Sequence, residues 1–318
     1  MNNHKAFTIV ELLTSLVIIA LLVTILLPSI SMVRRMAKET AQKAQFTTMD
    51  MAMDAFKQDY GDYPSSDWPD WRWSPPLRTS YCGAQKLAEA MLGWDLQGFH
   101  PKSAFRSDGF DSTNGNGSYD PGKTRFTPTN QLETLFERKN PYLEPATANA
   151  FRLGDLFNFI AYSPSNPLEP STFVLCDVFK IRKITDSTGK SVIAGAPILY
   201  YKANTNNKTI DINQLIDSRI YDYRHNQPIV WLQKLTANGS PGLKHPFEYP
   251  AASDYPVFYN DRSNYNPGNP VVYGGSGIGY GIRDPKVTRN VWPYRPDSYL
   301  LISAGYDGLY GTADDIHN

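Results

Sequence analysis

From Phe7 to Leu27 the chain runs through 21 residues with one ionisable side chain, Glu11. At about 1.5 Å per residue, a helix of this length crosses the roughly 30 Å hydrocarbon layer of a bilayer. Beyond Pro28 the composition changes but the helical signal continues. Ser31 to Tyr60 is rich in Met, Ala, Lys, Gln and Glu, all good helix formers. Small or apolar residues recur at Met36, Thr40, Ala41, Ala44, Thr48, Met51, Ala55 and Phe56, close to i, i+3, i+4 spacing. Lys38, Glu39, Lys43, Asp50 and Lys57 occupy the opposite side. Pro28 is expected to bend this helix rather than end it, and Gly61 and Pro64 to stop it. The pattern predicts one long helix, apolar all round at first and amphipathic later, whose stripe packs on a globular head.

After the helix the periodicity is weaker. Gly83 to Leu92 predicts a short amphipathic helix using Leu87, Ala88, Met91 and Leu92. Strand-like runs at Thr172–Arg182, Pro197–Tyr201, Pro228–Leu235 and Ser298–Ile302 are separated by Asn/Gly/Pro clusters such as Tyr265–Gly281. Their irregular spacing favours an antiparallel sheet with long insertions over a βαβ fold, giving an α+β chain. Trp68–Trp73 is a dense aromatic loop, read as rings folded onto the head or as a stacking surface for glycans or a partner. Ser107–Lys123 carries Asp108, Asp111, Asn114, Asn116 and Asp120 without the EF-hand spacing, and reads as a surface loop.

Composition narrows the function classes. Lys+Arg and Asp+Glu are equal at 31 each, which argues against a nucleic-acid binder with its basic stripe. Twenty tyrosines, 22 glycines and 24 prolines suit an exposed, loop-rich head. The two cysteines, Cys82 and Cys176, could pair if the head folds in an oxidising compartment, or stay as separate buried thiols. Five histidines (His4, His100, His225, His245 and His317) form no H-E-x-x-H motif, and G-x-S-x-G is absent, so catalysis is not expected.

Glu11 is the anomaly. A charge at membrane depth costs about 2.5–3.5 kcal/mol on insertion scales, so an acid near the start of an apolar run needs a partner. The short leader ending Lys5-Ala6, followed by Phe7-Thr8-Ile9-Val10-Glu11, resembles the signal of type IV pilins and pseudopilins. The resemblance implies that prepilin peptidase cuts between Ala6 and Phe7 and methylates the new terminus. The ammonium on Phe7 would then be the counter-charge for Glu11, within a subunit or on its neighbour. Such a buried pair adds little net stability but sets register, because breaking it is costly. Ala6 stands where the family usually has Gly. Arg34, Arg35 and Lys38 lie beyond the span, against the positive-inside preference, while the resemblance puts the leader in the cytoplasm.

The C-terminus carries the second patch. A strand-like run ends in Ser303-Ala304-Gly305-Tyr306-Asp307-Gly308-Leu309-Tyr310-Gly311-Thr312-Ala313-Asp314-Asp315-Ile316. Its glycines allow carbonyls to turn inward, and clustered carboxylate and carbonyl oxygens suit Ca²⁺. A pair of Asp-Gly turns in a solvated tail would read the same way. The segment resembles the calcium loop of G-type pseudopilins of type II secretion, in which two Asp side chains seven apart coordinate. Asp307 and Asp314 have that separation, with Asp315 as an accessory acid.

Together these resemblances imply a pilin-like fold. They give a leader at 1–6, a stem helix at 7–62 with its transmembrane part at 7–27, and an extracytoplasmic head at 63–318 with a calcium loop at 303–316. They imply an inner-membrane, single-pass structural subunit of a type II secretion pseudopilus. Its partners would be copies of itself, other pseudopilins, prepilin peptidase, an assembly platform and ATPase, and membrane lipid. The resemblance covers the first sixty-four residues and the last twenty. The large middle leaves room for the alternative, a minor or adhesive type IV pilin whose head binds glycan, a surface or cargo.

Overall fold

The computed structural model describes residues 8–67, 81–109, 119, 135–157, 168–185, 189–206, 220–226, 228–230, 232, 294–308, 310 and 315–318. The chain divides into two compact units, Met1–Ala41 and Gln42–Asn318.

Helix α1 spans Ile9–Tyr60, 52 residues, and runs through position 28 without interruption. Within the first unit, every described apolar side chain from Ile9 to Met36 is exposed. This segment has the length and hydropathy to cross a membrane, as the sequence pattern predicts. Its intramolecular bonds are those of an apolar helix: the hydroxyls of Thr14, Ser15 and Thr24 donate to carbonyls one turn back, so few polar groups remain to be hydrated.

Within the second unit, α1 from Gln42 onward is one wall of the head. Of the predicted stripe Phe56 is buried and Ala55 half-buried, but the rest of the buried side is a different set. Gln42, Phe46, Met49, Met53 and Phe56 face the core, whereas Ala44, Thr48 and Met51 face outward, with Met51 68 % exposed. Both sets repeat every three to four residues, so period alone cannot choose between them; side-chain volume does. Two phenylalanines and two methionines bury far more apolar surface than alanine and threonine. Phe56 packs its ring at 4.6 Å from Tyr60, 5.1 Å from Phe99 and 5.7 Å from Tyr142.

Helix α2 (Gly83–Leu92) has the predicted bounds, but it is buried on all sides, not on one face. Gly83 is required there, because a Cβ would sit 2.3 Å from the Tyr200 carbonyl oxygen. The α2 N-terminus is satisfied by Gln85 Oε1, which accepts the Cys82 N–H, and by Asn226 Oδ1, which accepts the Ala84 N–H. Three antiparallel sheets follow among the described residues. Strands β1 (Ala150–Arg152) and β2 (Phe173–Leu175) pair, with the short helix α3 (Leu153–Phe157) directly after β1. Strands β3 (Arg182–Thr185) and β4 (Ser191–Ala194) form a hairpin. The third sheet orders β5 (Leu199–Lys202), β6 (Tyr299–Ser303) and β7 (Ile316–His317), with Leu199 opposite Ile302 and Ser303 opposite Ile316.

This third sheet is the middle layer of the head. Tyr200, Tyr299 and Leu301 pack on the α1 side, in one core with Met49, Met53 and Phe56. Leu199, Tyr201, Leu300 and Ile302 pack on the other side, in a second core with Leu153, Val174 and Ile229. Burial on both faces explains why these strands are continuous apolar runs in the sequence rather than alternating ones. One expected strand fails: residues 228–230, the described start of Pro228–Leu235, are helical. The result is the α+β class, a long N-terminal helix followed by small antiparallel sheets.

The face assignment is testable by chemical denaturation of the head. Met53→Ala should cost about 2–5 kcal/mol, as for a fully buried methionine, and Met51→Ala under about 0.5 kcal/mol. Equal losses would contradict the assigned face.

Candidate functional site

The helix start is built from Thr8 and Glu11. The Thr8 N–H and hydroxyl both donate to Glu11 Oε2, at 2.9 and 2.8 Å, and the Glu11 N–H donates to Thr8 Oγ1 at 3.3 Å. This reciprocal pairing is a capping box, with Thr8 as the N-cap and Glu11 at the third helical position. The T-x-x-E signature of this box stands in the sequence at Thr8-Ile9-Val10-Glu11. Glu11 therefore has a partner within its own chain, and its carboxylate is held back at the N-terminal end of the helix, where the macrodipole favours an anion. Ala6 and Phe7 lie outside the described residues.

Polar side chains of α1 tie the second unit together. Asp50 accepts from the Tyr299 hydroxyl at 2.5 Å, the Asn318 amide at 2.9 Å and Arg295 at 3.3 Å, joining the helix to β6 and the C-terminal residue. Burial first, then the bond to Asp50, pushes the Tyr299 phenol well above its ordinary range. Asp54 accepts from Tyr63, whose phenol is pushed up to about 12 by burial and by that carboxylate. Gln42 Oε1 accepts the Val178 N–H at 3.0 Å, and Gln45 Nε2 donates to the Cys176 carbonyl at 2.9 Å. A cavity of about 330 Å³ opens beside this contact, lined by Gln45, Thr48, Met49, Tyr142, Leu143 and Val178 among others.

The C-terminal loop leaves β6 at Ser303. Gly305 and Gly308 adopt φ of 67° and 72°, and a Cβ at Gly308 would meet Ile181 Cδ1 at 2.1 Å. Glycine suits this loop for its conformation, since the Ile181 methyl could swing aside while the left-handed φ could not be relieved. The buried Asp177 anchors the loop: its Oδ2 accepts from Ser303 Oγ at 2.9 Å, and its Oδ1 accepts the N–H groups of Ala196 and Phe179. The Tyr310 hydroxyl donates to the Pro197 carbonyl, fastening the loop's far side. Asp307 is exposed and Asp315 half-buried, while Asp314 lies outside the described residues. Among the described residues no group of three His, Cys, Asp or Glu side chains is close enough to hold a metal ion.

Of the remaining candidates, Cys82 and Cys176 are both free and buried in the same core, so the disulfide allowed by the sequence is not formed. Burial pushes the Cys82 thiol up to about 12 and the Cys176 thiol well above its ordinary range, which makes both poor nucleophiles. Trp68–Trp73 lies outside the described residues, as do Asp111, Asn114, Asn116 and Asp120. Asp108 is engaged in a two-pronged pair with Arg106 at 2.7 and 3.0 Å. One array imitates a hydrolase: Ser66 Oγ is 2.9 Å from His225 Nδ1, and Asp222 lies on the other side of the ring. It is a structural clamp. Ser66 is 1 % exposed and accepts the Lys202 N–H, and the imidazole–carboxylate separation of 3.9 Å is too long for a hydrogen bond.

The family model described as the prokaryotic N-terminal methylation motif matches residues 1–27. The match supports a type IV pilin-like protein, processed by prepilin peptidase. No curated protein and no solved structure matches the chain. The matched segment includes the Thr8–Glu11 box and most of the exposed apolar half of α1, so motif and geometry single out the same stretch. The motif implies processing by prepilin peptidase and assembly into a filament.

Proposed function

We propose that the protein is a structural subunit of a type II secretion pseudopilus, or of a closely related pilin-like filament, anchored in the inner membrane with its head outside the cytoplasm. The observation that carries this reading is the methylation motif on a helix start whose acid is already ordered, followed by an apolar segment whose described side chains are exposed. Lipid covers that segment before assembly, and the stems of other copies cover it afterwards. On this reading, cleavage after Ala6 places an amine on Phe7, one residue before the box that holds Glu11. The carboxylate is then set in place to meet a neighbouring subunit's amine without reorganising its own helix. The work delivered by such a subunit is mechanical rather than chemical.

Capping and register are separable. Glu11→Gln keeps a side chain able to close a capping box but removes the charge. In cells expressing the full chain, Glu11→Gln should insert and be cleaved normally yet yield no fibres. Fibres at wild-type abundance from this variant would refute the register role.

For the C-terminal loop we propose Ca²⁺, with Asp307 and Asp314 as side-chain ligands, backbone oxygens completing the shell and Asp315 in support. Hard oxygen donors and the left-handed Gly305 and Gly308 suit that ion. Calcium at a hundredfold excess over its Kd should stabilise the purified protein by about 2.7 kcal/mol, read as a rise in Tm that EDTA reverses and Asp314→Ala removes. An unchanged Tm across calcium and EDTA would overturn the assignment and leave the filament reading intact.

A further inference from the structure

Glu89 sits in the middle of α2, 3 % exposed, where a carboxylate is costly. Its Oε1 accepts from the Ser103 hydroxyl, while Oε2 has no well-aligned hydrogen-bond partner among the described residues. The phenols of Tyr81 and Tyr119 act on the carboxyl as weaker hydrogen-bond donors. These contacts hold down the loop from Phe99 to Gly109. Ser103 Oγ also accepts the Phe105 N–H at 3.0 Å, fixing Phe105 in the left-handed region at φ 51°. The Tyr119 hydroxyl accepts the His100 N–H at 2.9 Å.

We infer that the Glu89 carboxyl is a proton-operated latch: protonated, it holds the Phe99–Gly109 loop on α2, and ionised, it loosens that loop. The neutral acid gains a donor for its second oxygen and carries no charge to desolvate. The anion has Ser103 as its one well-aligned donor, with the Tyr81 and Tyr119 phenols as weaker ones, in a site where burial outweighs all three, and release of the loop is the route by which it regains hydration. Burial is the dominant influence on Glu89 and raises its pKa to about 7.

The neighbouring charges do not replace this control. On α2, Lys86 favours the anion, but its Nζ is engaged by Asp67 at 2.8 Å. From the loop, His100 lies 3.5 Å from Glu137, and Arg106 is paired with Asp108. From the 135–139 segment, Arg138 is bound to Asp95 and stacked 4.9 Å over the Tyr119 ring. His100 is the one other group here whose ordinary range overlaps that of the latch, so the test must separate the two.

The sign follows from proton linkage. The closed loop binds a proton that the open form, with an ordinary glutamate, releases near 4.5, so closure weakens as pH rises from about 4.5 to about 7 and then levels off. Hydrogen exchange of the full-length protein in detergent, corrected for intrinsic rates, reads this at the Phe105 amide. Protection should fall roughly tenfold per pH unit between pH 5 and pH 7 in the wild type and stay flat in Glu89→Gln. A flat wild-type profile would overturn the latch. So would a dependence kept in Glu89→Gln but lost in His100→Gln. Should Glu89→Gln fail to fold, carbon NMR of the wild-type carboxyl decides: a midpoint near 7 supports the latch, and one near 4.5 refutes it.

Discussion

One continuous helix has to satisfy two environments, and the rest of the structure follows from that constraint. Up to Met36 its described apolar side chains are exposed all round, the state of a segment made for lipid or for other helices. From Gln42 the same helix presents Phe46, Met49, Met53 and Phe56 to a single core. The second stretch is as much part of the head as any strand, and the head's compact unit begins inside the helix at Gln42.

The head's polar groups converge on shared points. Asp50 gathers β6, Arg295 and the C-terminal residue onto α1. Gln42 and Gln45 grip the backbone around Asp177, whose own carboxylate holds Ser303 at the root of the C-terminal loop. The segment 176–178 thus lies between the helix and the loop, held from both sides. A cation bound at that loop would tighten the same connection.

Large, strongly patterned elements were legible in the sequence: α1 with its end at Tyr60, α2 with both ends, and the strand that became β6. What escaped was whatever depended on partners far along the chain. Apart from Phe56 and the half-buried Ala55, the buried stripe of α1 was misplaced because small residues and large ones share a period, and only their opposing cores reveal which set is inside. Pro228–Val230 carries an apolar run that suits a strand, yet it turns helical within the core formed around Tyr201 and Ile229. Glu89 reads as an ordinary polar position of an amphipathic helix; only the 100–109 loop and Tyr119, distant in sequence, close over it. At the N-terminus the opposite happened. The acid stood out, and the threonine three residues before it, which completes the cap, did not.

The account stands on maturation exposing an amine beside an acid held ready at the helix start. Mass spectrometry of the protein recovered from its native membrane measures this directly. The account predicts a polypeptide beginning at Phe7 and carrying one added methyl group on its terminal nitrogen. A recovered chain that still begins at Met1, with that nitrogen unmethylated, would contradict it.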